Sequence, residues 1–393
     1  MSEVKSEKEN VMRLLKSGQL ENIELGLTLT DSLQVDITEF KNDIEIIFDW
    51  SFGDQFLDKF EISPLTKIST PKSDVSFPKK LRAVSLTKEI RLEKRNITCL
   101  PTQIKYMINL EELVLTKNQL TGLPIEITTL SNLKLLNLSN NQFSIFPAEI
   151  CQMTQLTTLI LDYNQIDLLP TEIANLTNLE YLSLESNKLT CWPYQINTLT
   201  QLKGIYLNMN PVQSVPAVIE NFTQLDYLAL DETNLTSLPA EIGKLTKLLY
   251  LHLSANRLQS LPLLNMDIIY LDLSDNQLNP IPEHVFNLSN LESLYLNGNQ
   301  LNSISDQVFN LFNLETLHLD RNQLKSVSEK IGNLTKLRNL YLNDNQLLSL
   351  PSEISNLTNL NELRLENNLL SVEEIEKIQL IIRGLPNRCR IIF

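Results

Sequence analysis

The chain has 393 residues, more than the usual single domain, so it is either several domains or one elongated array. Its 47 acidic residues outnumber 33 basic ones, and the net charge of -14 disfavours nucleic acid or an anionic membrane as partner and favours a basic one. The opening MSEVKSEKEN lacks the apolar core of a secretory signal, and no run of about 18 apolar residues could span a bilayer, which together predict a cytoplasmic protein.

Residues 1–60 read as helices. Val11, Leu14 and Leu15 fall on one face of a first, and Ile23 and Leu27 belong to a second. Asp36 opens a third, with Glu39 three residues on and Ile37, Phe40, Ile44, Ile47 and Phe48 along one face. Trp50, Phe52, Phe56 and Phe60 extend the apolar supply. A helical cap over the first layer of an open repeat array is the economical expectation for 1–60, with a separate interaction module as the alternative. Residues 61–86, including PLTKISTPKSDVSFPKK, are expected to form a linker.

From residue 87 to 370 the chain repeats itself as L-x-x-L-x-L-x-x-N-x-L-x-x-L-P-x-x-I-x-x-L. Units begin at Leu110, Leu133, Leu156, Leu179, Leu202, Leu225 and Leu248, then at Ile268 after a shorter step, then at Leu291, Leu314, Leu337 and Leu360. A degenerate unit precedes them, carried by Ile90, Leu92, Ile97, Leu100, Ile104 and Met107. In L-x-L, alternate residues face opposite sides of a strand, so the leucines enter the core and the intervening residues face solvent. The ninth-position asparagines, such as Asn141, Asn276 and Asn345, sit where a buried turn needs a group that both donates and accepts hydrogen bonds. Arg95 and Thr233 replace them in two units, and Ser305 and Ser328 replace the proline in two others. The short unit after Leu261-Pro262 is expected to lose part of its outer turn and to change the local curvature.

These motifs resemble those of the leucine-rich-repeat family, and the Leu-Pro with its following Ile is similar to the Ras-group scaffolds and their bacterial relatives. The resemblance implies an α/β fold: a curved, right-handed leucine-rich-repeat solenoid with a parallel sheet on its concave face and an N-terminal helical cap. It also implies protein recognition as the usual activity.

Eight of the ten tyrosines fall at positions 3, 5, 7 or 8 of the strand segments: Tyr163, Tyr181, Tyr206, Tyr227, Tyr250, Tyr270, Tyr295 and Tyr341, whereas none of the thirteen phenylalanines does. A purely buried stripe would use phenylalanine, because an unpaired hydroxyl is costly to bury. His252, His318 and Asp272 share position 5 with some of these rings, and Asp162, Glu185 and Asp231 lie at position 7. The set describes an aromatic stripe bordered by carboxylates, suited to a protein partner with a basic or amide-rich surface. The alternative is that the rings ladder against one another only to stabilise the sheet.

Enzymatic readings are weaker. His252, Asp272 and Ser254 superficially resemble a hydrolase triad, but residues two apart on a strand lie about 6.8 Å from each other, and no oxyanion site accompanies them; His252 and Asp272 are read as a solvated charge contact. His252 and His318 are too far apart to share a metal. Cys99, Cys151, Cys191 and Cys389 have no bridging partners by spacing, which fits a reducing compartment. Sequons such as Asn175-Leu-Thr arise from the repeat itself. No cofactor is expected.

Residues 371–393 are read as a terminal cap: a helix over Val372 to Arg383 with Ile375, Ile378 and Ile381 or Ile382 inward, stopped by Gly384, then an extended piece from LPNRCRIIF. With so few residues after this helix, no appended ligase or kinase is expected. A non-enzymatic scaffold or adaptor is the leading expectation, and an inhibitor or exported effector using the same face is the alternative; oligomeric state is not legible.

Overall fold

Each repeat makes only a three-residue strand, so backbone pairing is a small part of what holds it; the leucines behind it do more. In Leu179, Leu182 and Leu184, as in their equivalents along the array, no surface remains exposed, and each such side chain contributes about 1.5–3 kcal/mol of burial. The computed structural model describes residues 2–33, 35–56, 76–386 and 389–393. It divides into two compact units, Met1–Leu179 and Glu180–Phe393.

The first unit opens with helices α1 (Ser2–Leu15), α2 (Leu20–Leu33), α3 (Thr38–Phe56) and α4 (Phe77–Leu86). Gly26 lets α1 and α2 approach, since a Cβ there would meet the Leu15 side chain at 2.9 Å. The expected inward residues of α3, from Ile37 to Phe48, are buried. Asp36 Oδ1 accepts the backbone N–H and hydroxyl of Thr38 at 3.0 and 2.8 Å, so its start is fixed by Thr38 rather than Glu39. The side chains of Phe52, Phe56 and Phe60 lie outside the described residues, as do residues 61–75.

Part of the expected linker is α4. Pro78 stands in its first turn, where a missing N–H is no loss, and Leu81 and Val84 are buried; a stretch rich in Pro, Lys and Ser concealed one amphipathic turn after another. Strands β1 (Glu89–Arg91), β2 (Glu112–Val114), β3 (Leu135–Asn137) and β4 (Thr158–Ile160) follow, paired parallel in sequence order. The helices lie against the first repeat. Asp43 accepts from the Tyr106 hydroxyl at 2.8 Å and from Gln103 Nε2 at 3.0 Å. Asn109 Nδ2 donates to the Gly18 and Ser85 carbonyls, and Phe40 meets the Tyr106 ring edge-on at 5.2 Å. Ile104 and Met107 are thereby sealed from water.

The second unit carries β5 (Tyr181–Ser183), β6 (Gly204–Tyr206), β7 (Tyr227–Ala229), β8 (Tyr250–His252), β9 (Tyr270–Asp272), β10 (Ser293–Tyr295), β11 (Thr316–His318), β12 (Asn339–Tyr341) and β13 (Glu362–Arg364). Each aligns position 3 with position 3 and position 5 with position 5 of its neighbour. Leu-Pro leads into a 3-10 helix in most repeats, for example Ala240–Lys244 and Ser352–Asn356. Ser305 and Ser328, standing where proline is absent, accept the Gln307 and Lys330 N–H groups and cap the helix with a side chain instead. Between β8 and β9, where the repeat is short, no such helix forms. The chain there runs so close to the preceding repeat that a Cβ on Gly243 would sit 2.5 Å from the Leu263 carbonyl oxygen.

At the far end α5 spans Val372–Arg383 as expected, capped by Ser371, whose hydroxyl accepts the Glu374 N–H. Ile378 and Ile382 are buried and Ile375 and Ile381 half-buried. Strand β14 (Arg390–Ile392) then pairs parallel to β13.

Candidate functional site

Two side-chain rows run across the strands of the second unit. The first is at the turn. Asn276 is representative: its Nδ2 donates to the carbonyls of Leu253, Leu273 and Ser274, and its Oδ1 accepts the Leu258 N–H at 2.9 Å. Thr233 keeps part of this role, its hydroxyl donating to the Leu230 carbonyl at 2.7 Å while Asn256 Oδ1 accepts its backbone N–H. The residue before each asparagine adopts a left-handed conformation, among them Ser186, Met209, Ala255 and Arg321, each with φ between 51 and 55°. Position 8 is thus a turn position rather than part of the strand face.

Tyr163, grouped with the stripe by sequence, is one of these turn residues, at φ 52° and 48% exposed, and it lies with the half-buried Asp162 in the first unit.

The second row is on the strand face. Tyr181, Tyr206, Tyr227, Tyr270, Tyr295 and Tyr341 are half-buried, and Tyr250 is exposed, because the leucine between positions 3 and 5 occupies the core side. Their rings stack across strands. Tyr206 meets Tyr227 at 4.8 Å between centroids, Tyr227 meets His252 at 5.0 Å, and His252 meets Tyr270 at 4.5 Å. The row continues to Tyr295 at 5.1 Å, His318 at 4.4 Å and Tyr341 at 4.0 Å. Tyr250 flanks it, 5.4 Å from Tyr227 and 6.4 Å from Tyr270.

The path alternates between positions 5 and 3 over β6 to β9, and small residues permit this. A Cβ on Gly204 would strike the Tyr181 and Tyr206 rings at 2.8 Å, and Ala229 is buried beside Tyr227 on the same strand. Arg364 ends the row with its guanidinium 5.1 Å from the Tyr341 ring centre, braced by Glu362, which also accepts from the Tyr341 hydroxyl. Gly204 interrupts the position-3 tyrosines in the sequence, but the sequence reading missed Glu362 and Arg364; carrying the position-3 and position-5 columns through every strand would have found them.

Most ring faces are spent on each other, and the Tyr227 and Tyr341 hydroxyls are held by His252 and Glu362, so the row is a sheet-stabilising ladder that stays half-buried. Burial holds the phenols protonated: Tyr206 is pushed up to about 12, and Tyr227 and Tyr270 are likewise raised.

The acidic border is more engaged than its spacing suggests. Asp231 Oδ1 accepts the Ser254 N–H at 2.7 Å, and burial raises its pKa to about 6. Asp272 Oδ1 accepts from Ser274 N–H and hydroxyl at 2.9 and 2.6 Å. His318 Nδ1 lies 3.3 Å from Asp320. Glu185 stands close enough to Asp231 and Tyr227 to raise both of their pKa values.

Asp272 acts on His252 through its charge, but the closest polar contacts of the imidazole lie elsewhere. His252 Nε2 and the Tyr227 hydroxyl are 2.8 Å apart, and Nδ1 lies 3.8 Å from Asp231; burial lowers the histidine's pKa. The strand register does place Asp272 opposite His252, but Asp272 turns to the nearer donors of Ser274. No Ser254–His252–Asp272 relay is assembled. Among the described residues, no group of three or more His, Cys, Asp or Glu has metal-binding geometry.

A family profile described as leucine-rich repeat region matches residues 72–215 and 266–381. A leucine-rich-repeat protein of Leptospira interrogans is similar at 34% identity and TM-score 0.70, over 78% of this chain and 84% of that one. The internalin inlF of Listeria monocytogenes shares the fold at 24% identity and TM-score 0.59, over 91% and 88% of the two chains. A plant peptide hormone receptor, RGFR1, solved in complex with RGF2, is 26% identical with TM-score 0.62, over 75% of this chain and 52% of that one. No curated protein matches in sequence. Proteins of this fold commonly serve as non-enzymatic mediators of protein–protein interaction, and on the profile, the repeat register and the Leptospira likeness together, this chain belongs to the leucine-rich-repeat family.

Proposed function

We propose that the second unit is a protein-recognition scaffold whose docking surface is the ring row on the solvent face of its sheet. The observation that carries the reading is the continuous, half-buried run of rings from Tyr206 to Tyr341, already ordered by their contacts with one another. A surface already ordered loses little entropy on binding, and half-exposed tyrosine offers rigid area with a polar handle. Because the ring faces are largely occupied, recognition runs through the flanking carboxylates of Glu185, Asp231 and Asp320, which suits a basic or amide-rich protein surface. The unpaired cysteines, two exposed, one half-buried and one buried, support a reducing, cytoplasmic location.

Replacing Tyr227, Tyr250 and Tyr270 together by Ala tests this. Retained circular dichroism with at least tenfold weaker capture of the native partner is expected. Undiminished capture by a folded triple variant would overturn the reading.

A further inference from the structure

The residues just before the strands, at position 2, form a column of charges beside the ring row, and neighbours in it pair. Lys203 Nζ lies 2.8 Å from Glu180, Arg338 Nε 3.3 Å from Glu315 and, in the first unit, Lys88 Nζ 2.7 Å from Glu111. Apart from Asn361 in the last repeat, the column of the second unit loses its charges at one stretch. Between Asp226 and Glu292 the position-2 residues are Leu249 and Ile269, both half-buried, and they line an open groove of about 680 Å³. Among the described residues neither Asp226 nor Glu292 forms an ion pair. Lys203 is held by Glu180, and Lys247 Nζ lies on the Gln224 side-chain oxygen. With Asp267 and Glu180 included, four carboxylates face two ammonium groups around this groove. Burial raises the pKa of Asp226 and Lys203 lowers it only at a distance, so an aliphatic floor lies between two carboxylates without a direct ion pair, and the groove keeps an excess of negative charge.

The spacing specifies what would fit. Asp226 and Glu292 precede β7 and β10, three strand intervals or about 14 Å apart at 4.8 Å per interval. An extended peptide covers about 13.5 Å in four residues, and its side chains i, i+2 and i+4 share one face. A segment crossing the strands therefore sets its first and fifth side chains over the two carboxylates and its third over Leu249 and Ile269.

We propose that this groove binds an extended segment of a protein partner that carries two basic side chains four residues apart with an aliphatic side chain midway. The inference rests on the reading of this unit as a protein-recognition module and assigns it a second contact beside the rings.

The probe is the peptide acetyl-Ser-Lys-Ser-Leu-Ser-Lys-Ser-amide, titrated into the full chain labelled at isoleucine and leucine methyl groups. Saturable shifts at the Leu249 and Ile269 methyls are expected. Affinity should weaken at least tenfold in the Asp226→Asn, Glu292→Gln double variant, and equally when both peptide lysines become glutamate. Silence at those two methyls, or equal response to the glutamate peptide, would overturn the proposal. The Tyr227, Tyr250, Tyr270 triple variant separates the two readings. If it loses the native partner while the wild-type groove ignores the peptide, the groove inference alone fails; if it keeps its partner while the groove binds the peptide, the ring-face reading alone fails.

Discussion

The turn row and the ring row cross the same strands of the second unit and obey the same repeat, yet they are built on opposite rules. At the turn almost every repeat places the same amide on the same carbonyls, as Asn256, Asn276 and Asn345 show. On the face, the ring changes column from strand to strand, with Gly204 and Ala229 making room for it and Arg364 closing it. Strict periodicity follows from a need common to all repeats, namely satisfying buried backbone groups. A row that departs from the period, and stays half wet, is not explained by that need, and the proposed recognition role would account for it.

Substitutions should separate the two rows by size of effect. Asn276→Ala is expected to cost the most, about 3 kcal/mol, because three carbonyls and one N–H lose a buried partner at once; urea unfolding of the single variant measures it, and a loss under about 1 kcal/mol would erase the distinction. Tyr227→Ala should cost about 1–2 kcal/mol, from contacts with Tyr206, Tyr250 and His252. Tyr227→Phe should cost less than half of that, since the stacking persists and only the hydrogen bond to His252 is lost.

Asp231 sharpens the comparison through pH. Its folded pKa of about 6 stands above the ordinary 3.8, so its charge costs stability above pH 6, and that cost fades as pH falls from 6 toward 3.8. His252 acts oppositely: its pKa is depressed from 6.5, so stability is lost as pH falls below 6.5. Asp231→Asn keeps an acceptor for the Ser254 N–H and should raise stability by about 1–2 kcal/mol at pH 7. Thermal melts of that variant should then fall more steeply on acidification than those of the parent; an unchanged profile would show that Asp231 is ordinary. Gly204→Ala should cost about 1–2 kcal/mol, because a Cβ would meet Tyr181 Cδ1, close to its own backbone, as well as the outer part of the Tyr206 ring.

The strands and α5 were legible in the sequence because the repeat register prescribes them: the leucines of L-x-L must be inward, and β1 through β13 fall where that register puts them. Side-chain direction was not legible. A period of two assigns His252 to a face, but its rotamer chooses Tyr227 and Asp231 over Asp272. Asp231 and Asp272 look like free border charges until the nearby N–H groups of Ser254 and Ser274 are seen to claim them. The left-handed turn at Tyr163 was not legible either, because a strand template carries the extended conformation past position 7. Helix α4 was missed because Pro78 reads as a breaker unless its place in the first turn is known.

The most direct test of the central claim is site-specific photocrosslinking in the native cell, with a benzophenone amino acid at Tyr250 on the ring face or at Glu329 on an exposed 3-10 helix. The account predicts a discrete protein adduct from position 250 and none from 329. Adducts from 329 with none from 250 would contradict it.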